Sequence, residues 1–164
     1  MTIKAIAAMT SKRLIGVNNT IPWQHKGDLK RFKELTTNST VIMGRLTFES
    51  LGSKPLPNRT NIMISSQDFN IEGILHFKSV GEVLQHIESA QDIWIIGGAT
   101  IYNSFLPFIQ SFDVTLVPDN IDVENGVYLP EFPDYWSTTE KKLHPYNPVL
   151  FTQTFFNPTP LLIK

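Results

Sequence analysis

The sequence contains no cysteine, which excludes disulfide bonds, thiolate metal sites and thiol catalysis. It also has no apolar run of the length that a transmembrane helix needs. The short apolar run 5–9 is followed by Lys12 and Arg13, which is not the pattern of a secretory leader. We therefore expect a cytoplasmic protein that does not act at a membrane.

Neither sign of charge is in excess, because Lys plus Arg number 14 and Asp plus Glu number 15. Domains that bind nucleic acids usually carry a basic surplus, so we expect no nucleic-acid partner. The few histidines, at positions 25, 76, 86 and 144, do not have the spacing of metal ligands. We interpret all four as structural or solvated and predict no metal site.

The chain does contain a series of short, β-branched apolar runs. They predict strands at 3–9, 40–44, 60–65, 74–77, 92–97 and 111–117. Helical patterns lie between several of them, at 28–37, 45–51, 80–89 and 99–106. This alternation predicts an α/β fold with a parallel sheet covered on both faces, and the later "STTEKKLHP" and "VLFTQTFF" predict an antiparallel C-terminal edge. Residues 1–164 fit a single domain, which we expect to be a monomer.

Ligands of such sheets bind beyond the carboxyl ends of the strands. Groups suited to phosphate follow three of the predicted strands, namely Arg45 with Thr47, Ser65 with Ser66, and Gly97 with Gly98. Glycines let a ligand approach the backbone, and a helix start offers unpaired N–H groups. Taken singly, each group has an ordinary alternative: a tight turn, a solvated arginine or loop serines.

The segment "IPWQHKGDLKRFKEL" places a carboxylate on an apolar helix face. Asp28 precedes Phe32 and Leu35 by four and seven positions, so the three side chains share one face. Asp28 is therefore either a helix-start residue or a functional group. Arg59 follows two prolines and is either a pre-organised receptor for a carboxylate or a solvated side chain.

The chain resembles the dihydrofolate reductases through the ordered segments "AIAA", "LIGVNNTIPW", "GDLKRFK", "VIMGRLTFESLG", "PLPNRTNIMIS", "IIGGATIY" and "VTLV". The resemblance implies a mixed, mostly parallel eight-stranded sheet with about four helices. It also implies hydride transfer from NADPH to 7,8-dihydrofolate, giving 5,6,7,8-tetrahydrofolate for one-carbon metabolism. The implied partners are dihydrofolate and antifolate inhibitors.

The resemblance assigns Asp28 to the pterin, whose 2-amino group and adjacent ring nitrogen the carboxylate would hold with support from Thr115. Asp28, Trp23 and Ile21 are the implied catalytic residues: Trp23 orders water, and Ile21 lies in a mobile loop, 16–22, that closes over the nicotinamide. Arg59 would bind the glutamate α-carboxylate. The implied substrate-binding residues are Ile6, Ala7, Ala8, Asp28, Leu29, Phe32, Leu51, Arg59, Ile96, Tyr102 and Thr115.

The implied cofactor is NADPH rather than NADH, because Arg45 suits the 2′-phosphate. Gly97 and Gly98 match the glycines of the diphosphate turn, whose connecting peptide is cis in the family. The implied cofactor-binding residues are Ala8, Ile15, Gly16, Asn19, Gly44, Arg45, Leu46, Thr47, Ser65, Ser66, Lys78, Ile96, Gly97, Gly98, Ala99, Thr100, Ile101 and Tyr102.

Two segments depart from the family pattern. In "ENGVYLP", Asn125 and Gly126 stand where Gly and the aspartate that braces the mobile loop are expected. This departure motivates an alternative function, a non-catalytic folate-binding protein, unless Asp122 or Glu124 replaces the brace. The pair before Asp28, "KG", resembles some mobile-element reductases that resist trimethoprim, or is ordinary turn chemistry.

A second enzyme of this fold is a further alternative, a reductase that acts on a deaminated riboflavin precursor. Such an enzyme should lack the set formed by Asp28, Thr115 and Arg59. All three residues are present here, so the sequence favours the dihydrofolate reductase hypothesis.

Overall fold

A computed structural model of the chain describes residues 2–18, 20–87 and 92–162. Its helices are α1 (Lys26–Thr36), α2 (Arg45–Ser50), α3 (Val80–His86) and α4 (Ala99–Phe105), the last followed by a short 3-10 turn, Leu106–Phe108. Its strands are β1 (Thr2–Met9), β2 (Leu14–Val17), β3 (Thr40–Gly44), β4 (Thr60–Ile64), β5 (Ile74–Phe77), β6 (Asp92–Gly97), β7 (Ser111–Leu116), β8 (Gly126–Tyr128), β9 (Ser137–Thr138), β10 (Lys142–His144) and β11 (Asn147–Phe156).

The main sheet has the strand order β10-β11-β7-β1-β6-β3-β4-β5, and the short β9 pairs with β11 beside this path. From β7 to β5 all neighbouring strands are parallel, whereas β11 runs antiparallel to β7, β9 and β10. The predicted fold, a mixed and mostly parallel sheet with four helices and an antiparallel C-terminal edge, is confirmed. No helix in the described ranges is both long enough and apolar enough to cross a membrane.

The strands at the centre of the sheet are buried on both faces. Residues 41–43 of β3 and 93–95 of β6 are almost inaccessible to solvent. Because helices cover both faces, neighbouring side chains along these strands are apolar instead of alternating with polar ones. The continuous apolar runs in the sequence are therefore explained by the position of β3 and β6 in the sheet.

Most elements lie close to their predicted bounds, and the differences occur at element ends and in short strands. Helix α1 begins at Lys26, two residues before the predicted start, and the predicted end of the third helix lies outside the described residues. Strands β2 and β8, which pair antiparallel, were not predicted. With four and three residues they are too short to show a reliable period of two.

Candidate functional site

Asp28 lies in the first turn of α1, and its side chain contacts residues of two other elements. Its Oδ1 atom accepts a hydrogen bond of 2.6 Å from the hydroxyl of Thr115, which is buried in β7. The same oxygen lies 3.1 Å from Nε2 of His144 in β10. The residue before the helix is His25, and its side chain does not cap the helix. The partners of Asp28 on two other elements favour a functional group over a helix cap.

Arg59 lies at the other end of α1, where its guanidinium is fixed by two hydrogen bonds. Nη1 donates to the hydroxyl of Thr36, the last residue of α1, at 3.0 Å, and Nε donates to the carbonyl of Pro57 at 2.9 Å. The guanidinium carbon lies 5.9 Å from the ring centre of Phe32. Burial lowers the pKa of Arg59, but arginine keeps its charge in proteins. The two hydrogen bonds hold the guanidinium in place, which favours a pre-organised cation over a freely solvated side chain.

The two charged side chains bracket one face of α1. Thr36 lies eight positions after Asp28, which is a rise of about 12 Å along the helix axis. Between them lie the half-buried Phe32 and the exposed Leu29. The face thus presents a hydrogen-bond acceptor, an apolar middle and a cation in that order. It suits an elongated ligand with a donor-rich ring at one end and a carboxylate at the other.

Strand β1 lies next to the strand that carries Thr115, and it contributes Ile6, Ala7 and Ala8. Ala8 pairs with Thr115 across the parallel ladder. The hydroxyl of Tyr102 in α4 donates to the carbonyl of Ile6 at 2.6 Å, and burial raises the pKa of Tyr102. The structure therefore joins residues from β1, β7 and α4 at the carboxyl end of the sheet, where parallel sheets bind ligands.

Three glycines bring the starts of α2 and α4 together. The Gly97–Gly98 peptide is cis, and the φ angle of Gly97 is +120°. A Cβ atom added to Gly44 would lie 3.1 Å from Cγ1 of Ile101. One added to Gly97 would lie 3.2 Å from the hydroxyl of Tyr102, and one added to Gly98 would lie 3.6 Å from the hydroxyl of Thr47. A side chain would thus crowd Gly44 and Gly97. Two closely spaced helix starts with little side-chain cover can receive a diphosphate.

A family model described as dihydrofolate reductase matches residues 2–156. The chain belongs to the dihydrofolate reductase family. It is 41% identical over 155 residues to a dihydrofolate reductase of Buchnera aphidicola from Acyrthosiphon pisum, with 90% of this chain and 95% of that one covered. It is 37% identical over 131 residues to the Bacillus subtilis enzyme, with 79% and 76% covered.

A solved structure is also similar, that of dihydrofolate reductase from Enterococcus faecalis complexed with NADP(H) and RAB-propyl. The TM-score is 0.82 at 29% sequence identity, and the match covers 96% of both chains. The fold implied by the family segments agrees with this comparison.

The residues expected along the outer part of a dihydrofolate reductase cofactor follow four neighbouring strands, β6, β3, β4 and β5. Ser65 follows β4, and its N–H donates to the carbonyl of Phe77 at the end of β5, which places Ser65 close to Lys78. Lys78 Nζ lies 2.8 Å from Asp68, a contact that raises the pKa of Lys78. The remaining expected residues here are Arg45, Leu46, Thr47, Ser66, Ala99 and Thr100, at the starts of α2 and α4 and after Ser65.

The expected mobile loop of the family begins in β2, which contains Ile15 and Gly16. Ile21 is 57% exposed, whereas Trp23 is buried with Leu14, Val117 and Leu150. Asn19, predicted to bind the cofactor, lies outside the described residues. Leu51, at the end of α2, is partly exposed, and Ile96 precedes the glycine turn.

A backbone ladder braces this loop. Strand β2 pairs antiparallel with β8, with Leu14 opposite Tyr128 and Val17 opposite Gly126. A Cβ atom at Gly126 would lie 2.6 Å from Cδ1 of the buried Leu14. The chain therefore joins the loop to residues 126–128 by main-chain hydrogen bonds, at the place where the family pattern has an aspartate.

His144 is a residue at the site that the sequence interpretation did not identify. Its ring is buried against Asp28 although 116 positions separate the two residues. A lone histidine in a short strand carries no local signal of such a contact. Within residues 2–18, 20–87 and 92–162, no three His, Asp or Glu side chains are grouped closely enough to hold a metal ion.

Proposed function

We propose that this protein is a dihydrofolate reductase, which reduces 7,8-dihydrofolate to 5,6,7,8-tetrahydrofolate with NADPH. The observation that carries the proposal is the arrangement along α1, where the Asp28–Thr115 pair and Arg59 bracket an apolar face about 12 Å long. A reduced folate has matching groups in the same order: a pterin, an apolar aryl ring and a glutamate. Family membership and the NADP(H) complex of the similar structure support the choice of cofactor.

The Asp28 carboxylate fits the donor edge of the pterin. A carboxylate has about four acceptor positions, and Thr115 and His144 both lie on Oδ1. Oδ2 is left for the 2-amino group, and the adjacent ring N–H can share the carboxylate. At the other end, Arg59 binds the α-carboxylate of the glutamate, because its fixed guanidinium is suited to paired hydrogen bonds.

The residues at the starts of α2 and α4 fit NADPH. Gly44, Gly97 and Gly98 allow the diphosphate to approach the backbone, and Arg45 provides the cation for the 2′-phosphate. When bound, NADPH supplies a hydride from its nicotinamide ring to C6 of dihydrofolate. Ser65 and Ser66 lie at the next strand end, toward the adenosine.

The protein aligns the reactants and controls one proton. Ile6, Ala7 and Ala8 form an apolar floor that holds the two rings face to face and limits the access of water. N5 receives its proton from water, and the negative charge of Asp28 at the far edge of the pterin favours this protonation. One hydride at C6 and one proton at N5 give tetrahydrofolate and NADP⁺.

The test compares NADPH oxidation by the wild-type protein and by Asp28→Asn, with dihydrofolate as substrate. The substitution keeps the size of the side chain but removes its charge. We expect turnover to fall sharply, most of all at neutral and higher pH, where little N5 is already protonated. Equal turnover in both proteins would show that Asp28 has been assigned the wrong role. Folate binding by the wild type without turnover would favour a non-catalytic folate-binding protein.

Three finer parts of the proposal need their own measurements. We expect sedimentation to show a monomer, and we expect fractionation of the source cells to find the protein in the cytoplasm. The hypothesis of trimethoprim insensitivity rests only on Lys26 and Gly27. The close approach of Tyr146 explains the glycine at position 27 by packing alone, without any relation to drug binding. Inhibition at the concentrations typical of sensitive bacterial enzymes would contradict the insensitivity hypothesis.

A further inference from the structure

His144 is buried at the end of β10, next to the carboxylate that is proposed to bind the pterin. Its Nε2 atom lies 3.1 Å from Oδ1 of Asp28, and none of its side chain is exposed to solvent. The pairing of β10 with β11 is irregular between Leu143 and His144. Leu143 is 70% exposed and His144 only 4%, so the irregularity coincides with the point where the strand directs a polar ring inward.

The second ring nitrogen determines the direction of the bond to Asp28. Nδ1 accepts the backbone N–H of Tyr146 at 3.0 Å. In a neutral imidazole one nitrogen donates and the other accepts, so the proton is on Nε2. His144 therefore donates to Asp28, alongside the hydroxyl of Thr115.

The turn that carries His144 is attached to the same helix as Asp28. A Cβ atom at Gly27 would lie 2.8 Å from the carbonyl oxygen of Tyr146. Nζ of Lys30 lies 4.2 Å from the ring centre of Tyr146, whose hydroxyl donates to Glu34. Residues 27, 30 and 34 share one side of α1. The turn is thus held along the helix, and Gly27 permits the close approach.

We propose that His144 is a positioning residue that, with Thr115, holds Oδ1 of Asp28 and leaves Oδ2 directed to the pterin. The proposal rests on the proposed function, because it assumes that Asp28 binds substrate. Two donors on one oxygen restrict rotation of the carboxylate before substrate arrives. Pre-organisation of this kind lowers the cost of binding. The effect therefore belongs to substrate affinity more than to the hydride step.

The test compares His144→Gln with His144→Phe in the enzyme with NADPH. Phenylalanine keeps the ring but removes both nitrogens, the donor to Asp28 and the acceptor of the Tyr146 N–H, whereas the glutamine amide can place an N–H near the position of Nε2. A hydrogen bond to a charged group is worth enough to change affinity about tenfold. We expect His144→Phe to raise the KM for dihydrofolate by about tenfold. His144→Gln should recover most of this loss, and the KM for NADPH should stay unchanged in both variants.

Two controls separate positioning from folding. Tyr146→Phe loses only the exposed hydroxyl contact with Glu34 and keeps both the backbone N–H and the ring beside Lys30, so its KM for dihydrofolate should stay close to that of the wild type. In an Asp28→Asn background, His144→Phe should add little to the loss of substrate affinity, because the charged acceptor is already gone. Equal KM values for wild type, His144→Phe and His144→Gln would overturn the proposal.

Nitrogen-15 NMR of the wild-type protein tests the same hydrogen bond without any substitution, so the result does not depend on whether a variant folds. We expect the His144 ring to show the Nε2–H tautomer and its Nε2 resonance to move when folate binds. An Nδ1–H tautomer would overturn the inference even if the enzyme is fully active. An inactive wild-type protein with the Nε2–H tautomer would instead contradict the proposed function.

Discussion

Thr115 and Asp28 are 87 positions apart in the chain, and their side chains meet at 2.6 Å at the carboxyl end of β7. Thr115 is almost completely buried, so water cannot replace Asp28 as the hydrogen-bond partner of its hydroxyl. A hydrogen bond to a charged acceptor contributes about 1.5–3 kcal/mol, more than a bond between neutral groups. This pair lies at the candidate pterin end of the α1 face.

Thr115→Val should weaken binding of dihydrofolate, because it removes the hydroxyl but keeps the branched shape. We expect the KM for dihydrofolate to rise roughly tenfold, with a smaller change in kcat. Steady-state kinetics with saturating NADPH measure both values. Thr138→Val, at an exposed position in β9, is the control and should leave them unchanged. If the KM for dihydrofolate is unchanged in Thr115→Val, then Thr115 does not contribute to substrate binding.

Arg59→Gln should affect only ligands that carry the glutamate. Loss of a paired arginine–carboxylate contact should raise the KM for dihydrofolate roughly 10- to 100-fold. A dihydropterin that lacks the glutamate is the matched substrate, and its KM should be the same for wild type and variant. A similar loss with both substrates would show that Arg59 supports the local structure around Thr36 and Pro57 and does not bind the carboxylate.

Gly27→Ala should destabilise the protein, because the added Cβ atom would meet the carbonyl oxygen of Tyr146 at 2.8 Å. Overpacking of this kind costs about 1–3 kcal/mol of unfolding free energy. Gly81→Ala in α3 is the control, since the nearest atom to its Cβ would be 3.9 Å away. There, alanine should be neutral or stabilise by about 0.5–1 kcal/mol. Urea unfolding measures both, and equal effects would contradict the close packing of the turn on α1.

Gly126→Asp restores the family residue and should nevertheless reduce turnover. A side chain at this position meets Cδ1 of Leu14 at 2.6 Å, so it should separate β2 from β8. We expect kcat to fall because closure of the loop depends on this pair, while binding of folate alone changes less. Stopped-flow measurement of hydride transfer provides the test. Faster turnover would show that the aspartate is the better brace.

The alkaline stability of the protein should depend on Tyr102. Burial raises the pKa of Tyr102 in the folded state above the value of about 10 found in unfolded chains. The contribution of its neutral form is therefore complete below pH of about 10 and is lost as the pH rises toward the folded-state pKa. Tyr102→Phe loses the bond to Ile6 at all pH values but should show a shallower alkaline decline. Identical alkaline slopes would contradict this assignment.

Local patterns in the sequence were sufficient for most of the fold. The apolar runs at 40–44 and 92–97 predicted buried strands. Both faces of β3 and β6 are covered, so nearly every residue is apolar, and this pattern is visible in the run itself without knowledge of the neighbouring strands. The glycines at 97 and 98 marked the turn for the same reason, since a close backbone approach restricts the residue type locally. Asp28 was singled out by its position on one helix face and Arg59 by the two prolines before it, and family resemblance assigned a role to each.

The tertiary structure decided the contacts between segments that are distant in the chain. Nothing near His144 indicates that a strand irregularity turns it toward Asp28, and nothing near Gly27 indicates that Tyr146 lies against it. The pairing of β2 with β8 likewise depends on two strands too short to have a visible period. Local sequence determines which residues are buried in an element, whereas the partner of a buried polar group depends on how the elements pack.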